Sequence, residues 1–486
     1  MTKRFITILA AVLTVFSLPF MAEADKALPQ LKITYTQKDL NYYTYIPGTM
    51  ELTDVDGSVT ALPTQFKTRG ATAQKYTMKP SLNMKLRDAD GNELDTNLLD
   101  LREASTFILD AMAIDRINMR NRVAFDIWNS FSRLPYETDF GSRNGTVGKY
   151  VELYINDEYK GIYCLSDKIN RKLLDLKKPQ VDEDTGEVTI RGLLYKHGTN
   201  DIGDQNTPGF FNDYLVWVAQ YHDAWELHEP EEYAGEEAWA PLVEFYSGNN
   251  KSDYAYVKEY FWLENLADYT IHIMALSIQD NWGNKNKYFS IQNVTKEGDK
   301  RKFVVTPWDL DCALGGHYDG NYYDGTYSNW EPKDITKNAP SPIGACLAQP
   351  EFKSLLKQRW MEGRAGAFAV DSVKQRLFDT CDLFEESGAW ERTVEHWKGR
   401  SSEKYVDDLR KEVELVARWY ENRFKQMDDY FAVTQEDIDN FNGIYDVVDE
   451  EGKETVIYNL QGIRVRDMDT PGIYIVNGRK VAVGRR

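Results

Sequence analysis

The residues of this chain best suited to catalysis are acidic and amide side chains in two separated segments. The first segment carries Asp280 and Asn286, and the second carries Asp309 and Asp311. Carboxylate and amide oxygens are the ligands that Mg²⁺ prefers, and Mg²⁺ held with nucleotide phosphates is the arrangement used in phosphoryl transfer. A remaining carboxylate could accept the proton of an attacking hydroxyl. These residue types therefore point to phosphoryl transfer, provided that the fold brings both segments together.

A predicted hairpin connects the two segments. Residues 288–292 and 302–306 both have a strand-like pattern, and Glu297 and Gly298 mark a turn between them. A two-residue turn at that point places Asn286 opposite Asp309, whereas a different turn shifts the pairing by a residue or two. Both acidic segments then emerge at the same end of the hairpin. Clustered carboxylates repel one another unless a positive group lies among them, which favours a cation site.

A structural explanation of the same residues stays open. Aspartate and asparagine are common in loops because they cap helices and stabilise turns. The triplet Asp309-Leu310-Asp311 is not specific for any one function. Spacing alone therefore leaves both a metal site and ordinary loops possible.

Charge and composition exclude several function classes. The chain of 486 residues has a formal net charge of −19, which disfavours nucleic acid partners because phosphates repel an acidic surface. The six histidines are scattered without zinc-site spacing. The four cysteines also lack metal-ligand spacing, and either one or two disulfides or buried free thiols would suit them (Cys164, Cys312, Cys346 and Cys381).

The first residues predict a secretory signal peptide. Lys3 and Arg4 precede a continuous apolar stretch over residues 5–20, and Ala22-Glu23-Ala24 offers small residues at a cleavage site. A membrane anchor is the alternative, but the apolar stretch is shorter than a full span. We therefore predict a mature chain without a membrane span, located at the periplasm or outer surface of a Gram-negative bacterium or secreted from it.

Periodicity predicts an α+β protein. Strands are predicted between residues 31 and 86, and a hairpin is predicted over residues 151–165 with its turn at Asn156 and Asp157. Helices are predicted over residues 115–131, 256–277 and much of 350–431. The predicted organisation is a signal peptide (1–24), a β-rich lobe (30–190), a mainly helical lobe with the catalytic loops (191–431), a linker (432–455) and a β tail (456–486).

Several separated motifs resemble, in the right order, those of the CotH kinase-like family, the spore coat protein H group. The resemblance covers roughly residues 60–430 and rests on Lys67-Thr68-Arg69-Gly70, residues 79–86, residues 115–121, the hairpin 151–163, and Trp308-Asp309-Leu310-Asp311 with Leu314-Gly315. It implies an atypical protein-kinase fold with two lobes. It also implies transfer of the γ-phosphate of ATP to Ser or Thr of a secreted or cell-surface partner protein, with Mg²⁺ or Mn²⁺.

The resemblance assigns roles to individual residues. Asp280 would be the catalytic base and Asp309 the principal metal ligand, with Asn286 assisting and Asp311 completing the metal set. The implied nucleotide-binding residues are Arg69, Gly70, Lys79, Lys85 and Arg120, although Arg120 also suits a structural role between the lobes. Asp167 stands where the family usually has Glu.

Two other functions are compatible with the sequence. A non-catalytic surface or adhesion protein on the same fold would use the many aromatic residues, which stack on sugars or peptides. These residues are Trp217, Tyr221, Trp225, Trp239, Tyr318, Tyr322, Tyr323, Tyr327 and Trp330. Glycoside hydrolysis by paired carboxylates fits secretion, but it gives no reason for Asn286 or for the lysine-bearing strand.

The last 30 or so residues resemble the C-terminal tails of secreted Bacteroidetes proteins, some of which are sorting signals. The similarity lies in residues 458–462 and 472–476, which are short strands separated by glycines. An ordinary small β module is the alternative.

Overall fold

Strands dominate the first half of the chain, and helices dominate the part from residue 236 to residue 440. The computed structural model describes residues 27–70, 78–136, 138, 142–199, 223–230, 236–248, 250, 252–282, 286–292, 301–317, 331–337, 342–400, 405–441, 457–459, 464–465, 472–476 and 479–483. The strands are β1 (Gln30–Tyr35), β2 (Ile46–Thr53), β3 (Val59–Arg69), β4 (Ser81–Leu86), β5 (Thr106–Asp110), β6 (Gly148–Ile155), β7 (Glu158–Asp167), β8 (Gln180–Val181), β9 (Val188–Thr189), β10 (Leu193–Thr199), β11 (Asp223–Glu229), β12 (Lys287–Ile291), β13 (Val304–Pro307), β14 (Ile457–Asn459), β15 (Arg464–Val465), β16 (Gly472–Val476) and β17 (Arg479–Val483). The helices are α1 (Arg120–Phe131), α2 (Glu236–Ser247), α3 (Tyr254–Tyr260), α4 (Leu263–Leu276), α5 (Gln279–Trp282), α6 (Pro332–Lys337), α7 (Ile343–Leu347), α8 (Pro350–Arg364), α9 (Val370–Glu386), α10 (Ala389–Trp397), α11 (Leu409–Tyr430) and α12 (Gln435–Asn440).

The first seven strands form a closed barrel with the order β1-β2-β3-β4-β5-β7-β6. Pairing is antiparallel except between β1 and β6, which run parallel and close the barrel. Strand side chains alternate between the two faces of a sheet. In β1, Leu31, Ile33 and Tyr35 are accordingly buried while the residues between them are exposed. The inward residues of the strands form one apolar core inside the barrel.

The predicted hairpin at Asn156 and Asp157 is confirmed as β6 and β7. Both residues have positive φ angles, 49° and 65°, as a two-residue type I′ turn requires. The Asn156 carboxamide also accepts a hydrogen bond from the Tyr35 amide at 3.0 Å. The turn residue therefore also ties the hairpin to β1 where the barrel closes.

A second sheet has the order β11-β10-β12-β13 and contains the predicted hairpin that joins the acidic segments. The predicted register is wrong by one residue. Lys287 pairs with Pro307, and the Trp308 amide donates to the Asn286 carbonyl at 2.9 Å. Asn286 therefore faces Trp308 instead of Asp309. The turn predicted to set this register lies in residues 293–300, outside the described residues.

Helix α4 is the centre of the helical part of the molecule. All residues from Asn265 to Leu276 are buried, and the helix packs against α1, α8, α11 and β13. It ends at Ser277, which takes a left-handed conformation with φ of 55°. This C-terminal end turns the chain toward the acidic segment that follows.

The single helix predicted over residues 256–277 is wrong, because the chain breaks between α3 and α4. Phe261 forms a parallel bridge with Phe303. The Trp262 amide donates to the Phe303 carbonyl at 3.2 Å, and the Phe303 amide donates to the Tyr260 carbonyl at 2.7 Å. These bonds to a neighbouring segment replace helical ones.

Other predictions of the sequence have clear outcomes. The α+β class is confirmed, and all four cysteines are free and buried. Trp225 and Trp239 belong to the core, whereas the other aromatic residues proposed for a binding surface lie outside the described residues. The predicted signal peptide also lies outside them. No described helix is long and apolar enough to cross a membrane. The C-terminal strands pair in the order β15-β14-β16-β17.

Candidate active site

A cavity of about 170 Å³ lies where the barrel, α1 and the two acidic segments meet. Asp280, Asn286, Asp309 and Asp311 all line it, so the structure brings together the four residues from which the predicted site began. The remaining lining residues are Arg69, Gly70, Ser81, Ile108, Asp110, Met112, Ala113, Ile114, Asn121, Arg122, Phe125, Thr146, Cys164, Ser166 and Trp308.

The barrel contributes its outer face to the cavity. Arg69 lies opposite Ser81 across β3 and β4, and Asp110 lies opposite Cys164 across β5 and β7. The Ser81 hydroxyl connects the two pairs, because it donates to the Asp110 carboxylate at 3.4 Å and accepts from the Ala111 amide at 2.9 Å. A continuous row of outward side chains therefore forms one wall.

Asn281 holds the two acidic segments together at the opposite wall. Its side-chain NH₂ donates to the Asn286 carbonyl at 2.9 Å and to the Trp308 carbonyl at 2.6 Å. The Tyr269 hydroxyl of α4 in turn donates to the Asn281 carbonyl at 2.9 Å. Asn281 is completely buried, so this connection is shielded from water. The separation of the segments is thus fixed from the helical core.

Two of the predicted site residues have left-handed backbone conformations. The φ angles of Asn286 and Asp309 are 59° and 57°. Such angles are uncommon for residues other than glycine and concentrate at functional sites, where the surrounding structure stabilises them. The Asn286 side chain donates to the Asp280 carboxylate at 2.8 Å. Amide and carboxylate are therefore oriented as a pair.

A chain of hydrogen bonds connects the barrel wall to the second acidic segment. The Asn121 side chain donates to the Asp110 carboxylate at 2.7 Å and accepts from the Leu310 amide at 3.1 Å. Sequence reasoning missed Asp110 and Asn121 as site residues. Asn121 stands within the motif at residues 115–121, which was a usable signal, whereas Asp110 has no local signature beyond ending a strand.

The cavity is strongly acidic around Asp311. Loss of hydration raises the pKa of the Asp311 carboxyl well above its usual range, and repulsion from Asp309, Asp280 and Asp110 raises it further. The Cys312 thiol donates to the same carboxyl at 3.4 Å, and burial raises the pKa of that thiol. A cation bound among these carboxyls would offset the repulsion between them and would favour the ionised form of Asp311.

Arg69 brings a positive charge to the edge of the cavity. Its guanidinium lies over the Trp308 ring, 5.1 Å from the centroid. Trp308 in turn meets Tyr288 edge to face at 5.8 Å. Gly70 follows with a φ of 89°, a conformation that favours glycine. The end of β3 and the second acidic segment therefore contact each other directly.

Lys79, Lys85 and Arg120 do not line the cavity. Lys79 is buried and donates to the Ile162 carbonyl at 2.6 Å. Arg120 is buried beside Asp115 and packs near Gly316, behind the second acidic segment. Lys85 lies on the outer barrel face, farther along β4. Their predicted roles as nucleotide ligands stay predictions.

Asp115 explains where α1 begins. Its carboxylate accepts from the Met119 and Arg120 amides, both at 2.8 Å, and from the Arg120 side chain. These bonds satisfy amides that have no partner within the helix. The predicted helix start at Asp115 is therefore a capping turn, and α1 itself starts at Arg120.

The donor set fits a hard cation. The groups lining this part of the cavity are carboxylate and amide oxygens, which suit Mg²⁺. Among the described residues, no three His, Cys, Asp or Glu side chains form a ready metal cluster. Mg²⁺ commonly takes one or two carboxylates and completes its shell with water and substrate phosphates, so this observation is compatible with it.

Residues 66–427 match the family model described as CotH kinase protein. The match covers more than half of the chain and includes every residue that lines the cavity. No curated protein matches the chain.

Proposed function

The chain belongs to the CotH kinase family, and from this premise we propose that it transfers the γ-phosphate of ATP to Ser or Thr of a partner protein. The observation that carries the proposal is the shared cavity, which Asp280, Asn286, Asp309 and Asp311 all line from two separate segments. The barrel would be the N-lobe of a kinase-like fold and the helices around α4 its C-lobe. Lining residues from both parts support that arrangement.

The residues of the site would divide the work of phosphoryl transfer. Asp280 would accept the proton of the attacking hydroxyl, and its bond from Asn286 would hold the carboxylate in one orientation. Arg69 and the Gly70 backbone would meet nucleotide phosphates at the cavity edge. Asp309, with Asn286 and Asp311, would hold Mg²⁺. The bound cation would supply charge neutralisation of the phosphates.

The cellular setting is part of the same proposal. The apolar stretch after Lys3 and Arg4 supports export, and the acceptor would then be a secreted or surface protein. The short C-terminal strands and their glycines support a sorting role for the tail of the kind found in Bacteroidetes.

The test is label transfer from γ-labelled ATP by the purified mature chain with Mg²⁺ or Mn²⁺. We expect incorporation into the chain itself or into added secreted proteins. Asp280→Ala and Asp309→Ala should each lower the rate at least about 100-fold, since a general base or a metal site supplies that much. The matched control is Asp407→Ala, which removes an exposed aspartate outside the cavity.

Equal labelling by all four proteins would contradict the proposed roles. No labelling by any of them, together with retained ATP binding, would favour the alternative of a non-catalytic binding protein on the same fold.

A further inference from the structure

The outer face of the barrel carries cations that begin at the cavity and continue away from it. Arg69 lines the cavity at the end of β3, and Lys67 precedes it by two residues on the same face. Lys85 lies on the same face of β4, opposite Gln65. Because outward residues recur every second position, the three cations lie on one face of two paired strands.

Two of these cations share one aromatic ring. The ammonium groups of Lys67 and Lys85 lie 5.0 Å and 4.6 Å from the centroid of the Tyr45 ring. Like charges on neighbouring strands repel each other. The attraction of each ammonium to the ring offsets part of that repulsion. An anion between the lysines would lower it further.

A group of neighbouring cations contrasts with the negative net charge of the whole chain. Asp and Glu number 77 against 58 Lys and Arg, so adjacent cations on one surface are not a consequence of general basicity. The adjoining loop presents Tyr43 with 87% of its surface exposed. The Asn41 carbonyl accepts from the Thr68 amide at 3.0 Å, which holds this loop against β3. An exposed tyrosine is typical of an interaction surface, because aromatic residues are enriched there.

We propose that Lys67, Lys85 and Tyr45, the docking strip, bind an acidic segment of the polypeptide substrate next to the residue that is phosphorylated. This inference rests on the proposed function and adds a substrate preference to it. Two residues of a strand span about 7 Å. Lys67 therefore lies about 7 Å and the Lys85 row about 14 Å from Arg69 along the strands.

The distances between these side chains predict the spacing of acidic residues in the substrate. An extended peptide advances about 3.4 Å per residue. Its carboxylates would reach the two lysines about two and four residues beyond the peptide position that lies level with Arg69. The strip therefore favours substrates in which Glu or Asp alternate on one side of the acceptor hydroxyl.

Nucleotide phosphates are the other source of negative charge. They share the chemistry of carboxylates toward an ammonium group, but neither Lys67 nor Lys85 lines the cavity. An acidic peptide is long enough to leave the cavity and follow the strands. The geometry thus favours the peptide, and a polyphosphate arm of the experiment separates the two sources.

The experiment measures binding of a fluorescent peptide with one Ser followed by alternating Glu, by anisotropy, to the full mature chain without nucleotide. We expect Lys67→Glu/Lys85→Glu to weaken binding at least tenfold. A peptide with Gln in place of Glu should bind weakly to both proteins. The matched control is Lys32→Glu/Lys149→Glu, which makes the same charge change on exposed positions of β1 and β6 and should alter binding less than threefold.

Several outcomes would overturn the inference. Equal weakening by both double variants would show a general charge effect, and unchanged binding to the strip variant would remove the site. If tripolyphosphate displaces the peptide and the strip variant loses tripolyphosphate equally, the lysines serve the nucleotide. If charge reversal prevents folding, Lys67→Gln/Lys85→Gln replaces the charge-reversed variant, and its unfolding temperature shows whether it folds. Because no ATP is present, a chain that binds the peptide but transfers no label refutes the kinase proposal and leaves the strip intact.

Discussion

At the scale of single residues, the site depends on which groups donate and which accept. Asp110 accepts on both sides, from the Met112 amide at 3.0 Å and from Asn121 at 2.7 Å. Asn121 donates to Asp110 and accepts from the Leu310 amide. These bonds are all satisfied only when one of the two positions carries a carboxylate and the other an amide. The pair therefore fixes the distance between the barrel wall and the segment that carries Asp309.

Exchanging the two side chains tests this connection. Asp110→Asn alone brings two donors face to face, and Asn121→Asp alone brings two carboxylates together. Loss of such a bond costs about 1–3 kcal/mol, so we expect the Leu310 amide to exchange with solvent about 10 to 100 times faster in each single variant. The double variant Asp110→Asn/Asn121→Asp restores every donor and acceptor and should recover slow exchange.

The rate of phosphoryl transfer is the second measurement on the variants at Asp110 and Asn121. We expect both single variants to lose activity and the double variant to regain most of it. Slow exchange of the Leu310 amide in the single variants would contradict the connection. A double variant no better than the singles would contradict the donor assignment. The amide measurement does not need activity, so it remains decisive for an inactive protein.

The sequence was only partly informative at this scale. Asp280, Asn286, Asp309 and Asp311 were found because acidic and amide residues flank a clear hairpin pattern. Asp110 was not found, because an aspartate at a strand end is common and its role depends on Asn121. The pairing of Asn286 with Trp308 differs by one residue from the predicted pairing, because strand periodicity does not specify the register between two strands.

At the scale of secondary-structure elements, the contact between α1 and α4 contains a buried histidine. His272 is fully buried on α4, its Nε2 lies 2.9 Å from the Ala124 carbonyl of α1, and its ring meets Trp128 edge to face. Burial lowers the pKa of His272 to about 4. The folded state therefore takes up a proton at lower pH than the unfolded state, whose histidine has a pKa near 6.5.

The consequence is a specific loss of stability in acid. The contribution of His272 is complete above about pH 6.5 and is lost as the pH falls toward 4, since the unfolded state binds the proton first. His272→Gln keeps an N–H donor for the Ala124 carbonyl and removes the titration. We expect the free energy of unfolding to fall by about 2 kcal/mol less between pH 7 and pH 4.5 in this variant. Urea unfolding at both pH values measures this difference, and equal losses in both proteins would show that titration of His272 does not destabilise the fold in acid.

Elements were predicted well where periodicity is local. The alternation in β1 and the Asn-Asp turn of β6 and β7 carry their own signals. The break between α3 and α4 has none, because it depends on a bridge from Phe261 to Phe303, which is distant in sequence. Because apolar residues lie on both sides of the break, the sequence pattern predicted one continuous helix.

At the scale of the whole molecule, the site exists because the inner face of the closed barrel forms an apolar core while part of its outer face lines the cavity. Inward residues such as Phe66, Met84 and Leu109 fill the barrel. The alternate residues of the same strands point outward, where they line the cavity or belong to the docking strip. Barrel closure depends on parallel pairing of β1 with β6, which are more than one hundred residues apart in sequence. Strand patterns do not specify such pairings, so the α+β class was predictable and the barrel was not.

In the proposed function, both acidic segments and the barrel face would together bind one metal–nucleotide complex. A crystal structure of the mature chain with Mn²⁺ and a non-hydrolysable ATP analogue, with Mn²⁺ located by its anomalous signal, tests this binding mode. We predict one Mn²⁺ within coordination distance of the Asp309 carboxylate and of a nucleotide phosphate, in the cavity that Arg69 borders. Nucleotide bound elsewhere, or Mn²⁺ with no contact to the acidic segments, would contradict the proposed metal–nucleotide site.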